Sequence, residues 1–182
     1  MIYTQGETEL SRIIRRRRRK LENRTGYMRL LIRIAAVAAV GYLLFTQAFL
    51  IGQAPDNDMF PAVKDGDLLI GFRLQKEFLQ NDVIVYEAEG ETHVGRIIGQ
   101  ENDVITMDEN GTLMVNGTVQ SGEILFPTHA NEDGENPCRV PEGHVYVLGD
   151  YRTQAKDSRI FGTIPMEEVK AKVITILRRR VL

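Results

Sequence analysis

The sequence predicts a mainly β domain behind a single N-terminal transmembrane helix, and three observations carry that reading. An uncharged, largely apolar stretch of 22 residues runs from Ile34 to Pro55. Beyond it, short β-branched runs alternate with turn residues. Helical periodicity outside the apolar stretch is weak, with residues 165–171 the best short candidate. The chain has 182 residues and a formal net charge of −2, but the charge is unevenly spread. Residues 1–33 hold ten Lys+Arg against three Asp+Glu, while the rest hold 13 against 22. These counts argue against a large multidomain enzyme and against an ordinary cytosolic globule. Once leader and anchor are set aside, residues 52–182 suffice for one domain with a core.

The leader, 1–33, carries the unbroken basic run Arg15 to Lys20, with Arg12, Arg24, Arg29 and Arg33 around it. Such a block suits nucleic acid in isolation. Beside an apolar segment the simpler reading is retention on the cytoplasmic side and attraction to anionic headgroups, with no nucleic-acid partner. Residues 34–51 form the expected span, extended toward Pro55 to cover a hydrocarbon core of ~30 Å. A cleavable signal peptide is the rival, because Gly52-Gln53-Ala54 offers small residues at a cut. The apolar run is longer than a signal peptide needs, and Pro55 would follow the cut. The expected topology is therefore a single-pass cell-membrane protein with residues 52–182 outside.

Within that exported part, residues 67–72, 82–86, 94–98, 103–107, 112–115 and 145–148 read as strands. Asp65-Gly66 and Asn116-Gly117 mark turns, and Asn110-Gly111 is the strongest hairpin signal. Residues 126–143 hold three Pro and read as a loop or insertion. Cys138 is the sole cysteine, which excludes an intrachain disulfide and points to a small inert residue. His93, His129 and His144 share no zinc-site spacing, so no metal is expected. Neither a phosphate-cradling Gly loop nor a dinucleotide fingerprint is present, so no cofactor is expected either.

Three stretches, in order, carry a specific resemblance. Asp58-Met59-Phe60-Pro61-Ala62 with Asp65-Gly66-Asp67, then His93-Val94-Gly95-Arg96-Ile97-Ile98-Gly99, then Gly149-Asp150-Tyr151-Arg152 with Asp157-Ser158-Arg159 and Gly162 resemble the boxes of type I signal peptidases. The third is the most specific. The resemblance covers residues 52 to about 170 and implies a signal-peptidase-like β domain. That family cuts leader peptides with a Ser nucleophile and a neutral Lys base. Aligning the boxes puts Asp58 at the nucleophile position and Gly95 at the Lys position. Asp56 and Ala155 stand where supporting serines occur in the family. A carboxylate has no hydroxyl proton to surrender, and glycine has no base. An ionised Asp56 would repel a developing oxyanion.

The resemblance extends to catalytically degenerate signal-peptidase-like proteins of Gram-positive bacteria, encoded with sortases and pilins. It implies a non-catalytic accessory or chaperone in pilus assembly, with pilin subunits and a sortase as partners. Loss of the Lys is expected to enlarge the groove floor. The alternative is an active leader peptidase using Ser121 or Ser158 with Lys64 or Lys156. Replacement chemistry through a His93–Asp58 or an Asp58–Asp56 pair stays open as well, because side chains repeat every two residues along a strand and His93 would share a face with residue 95. An anchor domain with no groove function also remains.

Overall fold

The computed structural model describes residues 4–120, 126–131 and 134–178, and the chain divides into two compact units, Met1–Thr46 and Gln47–Leu182. In the first unit the backbone follows one helix, α1 (Thr4–Ala48). Its segment Arg24–Ala48, 25 residues, is long and apolar enough to cross a membrane and is not buried in the protein. At 1.5 Å per residue it spans ~38 Å. The span stops short of the predicted Ile51: the helix ends at Ala48, and Phe49-Leu50-Ile51 belong to a strand. Apolarity alone does not distinguish helix from strand. Here, pairing decides it, because Phe49 lies opposite Phe72 with ring centroids 5.7 Å apart.

The second unit is built from β1 (Phe49–Gln53), β2 (Leu68–Phe72), β3 (Val83–Ala88), β4 (Glu91–Gly99), β5 (Val104–Met107), β6 (Leu113–Val115), β7 (Thr118–Val119), β8 (Cys138–Arg139), β9 (His144–Leu148), α2 (Ser158–Phe161), β10 (Ile164–Pro165) and β11 (Val169–Leu177). A 3₁₀ turn, Met166–Glu168, links the last two strands. One antiparallel sheet has the order β1-β2-β11-β3-β4-β9-β10, and a smaller one has β7-β6-β5-β8. All six predicted strands are present, and the expected mainly β architecture is correct.

The largest departure is at residues 165–171, where a helix is the sequence-based expectation. The structure has only the 3₁₀ turn there, followed by β11, which runs through the large sheet between β2 and β3. Its register shifts between Val169 and Ala171 and again between Val173 and Thr175. The sequence carries the two-residue alternation nonetheless, in Val169-Lys170-Ala171-Lys172-Val173, while Met166 and Val169, three residues apart, also suit a short helix. The marked turns are present. Asn116 and Gly117, at φ 53° and 76°, form the two-residue hairpin turn joining β6 to β7. Asn110-Gly111 lies in the loop of the predicted hairpin, which joins the antiparallel pair β5 and β6 through residues 108–112, and there Asp108 Oδ1 accepts from the Thr112 N–H.

Three apolar clusters fill the domain. Ile98, Ile105, Leu113, Val140 and Leu148 lie under the small sheet. Ile84, Tyr86, Ile97 and Val147 form a second group. Met59, Val63, Leu69 and Val85 form a third, which pins the β1–β2 connection to the large sheet. Cys138 is buried in the first cluster, and burial pushes its thiol pKa up, as suits an inert residue. The described residues of 126–143 are mostly loop, as predicted, with the short strand β8 (Cys138–Arg139) within them; Thr128 and Val140 are nevertheless fully buried.

Between β9 and α2, the buried Asp157 caps the helix. Its Oδ1 accepts from the Arg159 N–H (3.1 Å) and Nε (2.8 Å), and its Oδ2 from Arg159 Nη2 (2.8 Å) and the Gly149 N–H (3.0 Å). Ser158 Oγ accepts from the Val147 N–H at 3.0 Å. Breaking a buried pair by removing one partner costs about 3–5 kcal/mol. Asp157→Ala is expected to lose that much in urea unfolding of the full chain in detergent, whereas a loss below about 1 kcal/mol would show that the pair is not structural.

Candidate functional site

The connection 54–67 is a compact turn, closed by Ala54 N–H to Asp67 O (2.9 Å), Gly66 N–H to Ala54 O (3.1 Å) and Val63 N–H to Met59 O (2.9 Å). Met59 and Val63 are buried anchors, while Pro61 lies at its exposed edge. Asp58 is thereby held against the segment that follows β9. Its carbonyl accepts from the Tyr151 N–H (2.9 Å), and its Oδ2 from the Lys156 N–H (3.0 Å). A Cβ at Gly149 would lie 2.6 Å from the Asp58 carbonyl and collide with Ala155 Cβ, so this close approach requires glycine.

The fold also brings Asp56 and His93 to Asp58. One ligand atom from each of the three lies within 4.8 Å of the others. Asp56 Oδ1 accepts from the Asp58 N–H at 2.9 Å. That amide is consequently already engaged and, in this arrangement, does not donate to an oxyanion. Burial raises the Asp58 pKa above the ordinary carboxylate value. The Lys156 N–H opposes the shift, and the charges of Asp56 and Asp157 add to it. His93 is 5% exposed, with its ring 5.6 Å from Tyr86 and 4.9 Å from Phe161 between centroids. The two-residue repeat correctly places His93 on the face of Gly95, although burial of the imidazole has no signal in the sequence.

Gly95, on β4 opposite Ile84, is buried. The expected enlargement of the groove floor is not found. A Cβ built at this position collides with Val147 Cγ1 and comes 3.2 Å from Tyr86 Cε1, so neighbouring side chains fill the space. Tyr86 and Val147 are the two residues here that sequence reasoning missed. Both are ordinary core positions in sequence, and only the strand pairing brings them over residue 95. Ala155 is buried beside Gly149.

The remaining motif residues form the support. Arg96 forks onto Asp150, Nε to Oδ1 at 2.8 Å and Nη2 to Oδ2 at 2.7 Å. Such bidentate pairs fix orientation as well as charge. Arg152 is buried and donates to Thr128 Oγ1 at 2.8 Å, and burial lowers its pKa. Gly162, at φ 76°, closes α2 by donating its N–H to Ser158 O at 3.0 Å. Ser158 is committed to the core through Val147, while Ser121 lies outside the described residues. Of the other histidines, His129 is exposed and His144 partly so, and neither is in the Asp56–Asp58–His93 group.

The chain is similar to several known proteins. The family model described as "Signal peptidase, peptidase S26" matches residues 26–177. The chain is 29% identical over 158 residues to signal peptidase I of Bacillus caldolyticus, covering 78% of this chain and 84% of that one. It is likewise 29% identical over 154 residues to signal peptidase IB of Staphylococcus aureus, covering 74% and 78%. A probable thylakoidal processing peptidase 2 of Arabidopsis thaliana is 28% identical over 149 residues, 74% of this chain. The chain spans about two fifths of that plant protein's length, 40%. A signal peptidase I structure from Enterococcus faecalis is 27% identical, covering 55% of this chain and 98% of that one, with a TM-score of 0.45. The protein belongs to the signal peptidase family, peptidase S26.

Proposed function

We propose that this is a non-catalytic member of the family, a membrane-anchored accessory protein that handles pilin subunits beside a sortase during pilus assembly. The observation that carries the non-catalytic part is residue 95. Its backbone lies where the family's boxes put the general base, yet Val147 and Tyr86 occupy the space a side chain would need. Asp58 and Asp56 strengthen the reading. Their charges disfavour a tetrahedral oxyanion, and the Asp58 N–H is already bonded to Asp56. Losing either half of a nucleophile–base pair typically removes several orders of magnitude in rate. The pilus role rests on the resemblance to degenerate signal-peptidase-like proteins encoded with sortases. In this reading α1 anchors the chain in the cell membrane with the basic leader inside, following the charge asymmetry, and the β domain outside.

The second reading, an active leader peptidase, is favoured by the names of the relatives, which are peptidases. It needs a nucleophile other than residue 58. Ser158 is a poor one, because it is 3% exposed and its Oγ accepts a core hydrogen bond.

Three outcomes test the proposal. Full-length protein in detergent should leave a leader-peptide substrate uncut above buffer. Turnover abolished by Ser121→Ala or Ser158→Ala would establish the peptidase instead. Gly95→Ala should destabilise the domain by about 1–3 kcal/mol through overpacking against Val147, read as a shift in the urea midpoint. An unchanged midpoint would show that the space at residue 95 is open. Crosslinking in membranes of pilus-forming cells, followed by purification on this chain, should capture pilin and sortase. Their absence, with other membrane proteins recovered, would remove the pilus assignment.

A further inference from the structure

We propose that Asp56, Asp58 and His93 form a binding site for a divalent transition-metal cation, with Zn²⁺ the species the donor set favours. Two carboxylates in proximity do not make such a site. The buried histidine is the independent observation. His93 is 5% exposed, its Nδ1 has no hydrogen-bond partner, and its ring is flanked by Tyr86 and Phe161. Leaving a buried polar nitrogen unpaired costs about 1–3 kcal/mol. A nearby electron-pair acceptor would remove that cost. One ring nitrogen already lies within 4.8 Å of an oxygen from both aspartates, although no ion pair closer than 4.0 Å forms with either among the described residues.

The carboxylates are arranged for the task. Asp56 uses Oδ1 on the Asp58 N–H, and Asp58 uses Oδ2 on the Lys156 N–H. Each is thus oriented by a backbone donor through one oxygen, which leaves the other to bind outward. Outer hydrogen bonds of this kind fix ligand geometry in metal sites. Zn–N and Zn–O bonds are ~2.0–2.2 Å long, so donors around one tetrahedral ion stand roughly 3.3–3.6 Å apart. Closing from 4.8 Å to that spacing requires side-chain rotation of about an ångström. A neutral imidazole with two carboxylates balances a divalent charge. The nitrogen donor favours Zn²⁺ over Ca²⁺ or Mg²⁺, which prefer all-oxygen sets. Three protein ligands leave a fourth position for water. The bound cation would fasten the 54–67 turn to β4 (Glu91–Gly99), two elements separated along the chain by β2 and β3. The inference stands on geometry and does not depend on pilin being the partner.

The test uses full-length protein in detergent, stripped with a chelator, then dialysed and titrated with ZnCl₂ by calorimetry. In parallel, melting is followed with Zn²⁺, Mg²⁺ or Ca²⁺. The expected result is about one equivalent of Zn²⁺ bound and a higher melting temperature with Zn²⁺ alone. Asp56→Asn, Asp58→Asn and His93→Gln should each weaken Zn²⁺ binding at least tenfold, the order expected when a ligand or its support is removed. If His93→Gln fails to fold, the two aspartate variants decide, because Asp56 and Asp58 are only partly buried. His129→Ala should bind as the parent does. No binding up to millimolar Zn²⁺, or parental affinity in any folded variant of the three ligands, overturns the site.

Discussion

The arrangement around residue 58 depends on one buried carboxylate, that of Asp157. Asp157 is 1% exposed and would be intolerable there as an isolated charge. It is compensated by the Arg159 fork and by two backbone N–H groups, those of Gly149 and Arg159. Those bonds tie the end of β9 to the start of α2 and fix the path of residues 149–157. That path supplies the Tyr151 and Lys156 amides that hold Asp58. The position of the 54–67 turn is therefore set by a network centred about one helical turn away. Such a network can persist whatever residue occupies position 58, because it contacts that residue mainly through its backbone.

Electrostatics then separates the scaffold from the activity found elsewhere in the family. A hydroxyl and a neutral amine bring no net charge to a cleft, whereas Asp56 and Asp58 bring two negative charges. Two unit charges within 4.8 Å repel by about 3–4 kcal/mol at an effective dielectric near 20. Burial and Asp56 both contribute to the raised Asp58 pKa. A site with that field opposes the formation of an oxyanion and attracts cations. Fold membership is compatible with either outcome, since function belongs to the residues at the site.

Sequence reasoning reached the architecture because its signals were local. Alternating β-branched runs gave the strands, and the Gly149-Asp150 and Asp157-Ser158-Arg159 stretches gave the support. It missed β11 as a strand although Val169-Lys170-Ala171-Lys172-Val173 alternates apolar and charged residues, because residues 165–171 also fit a short helix, and it extended the span to Ile51 because Phe49-Leu50-Ile51 is equally apolar in a helix or on a sheet edge. At the site, position 95 was legible as a glycine, but its surroundings were not. Val147 comes from β9 and Tyr86 from β3, and only strand pairing brings both over β4. The Asp56–Asp58–His93 grouping was legible in part: the aligned boxes and the two-residue repeat paired His93 with Asp58 and Asp58 with Asp56, but not all three around one point, nor the burial of the imidazole. Metal-spacing rules compare residues on one element, whereas these come from a turn and a strand far apart in sequence.

The closed space at Gly95 has a consequence for how such a site diverges. On the proposed alignment, replacement of a lysine alone would leave a channel for its methylene stem in the neighbouring core. Instead, a Cβ alone meets Val147 Cγ1. Close-packed interiors do not tolerate an added side chain without rearrangement. Restoring a base at residue 95 therefore requires movement of β9 side chains as well as substitution on β4. Position 58 is different: its side chain is partly exposed and its carboxylate accepts from the Lys156 backbone N–H. On the proposed alignment the two positions are thus unequal: the one matched to the nucleophile is partly exposed, whereas the one matched to the base is closed by core packing, and that packing opposes a new side chain more strongly than position 58 opposes the exchange of one polar residue for another.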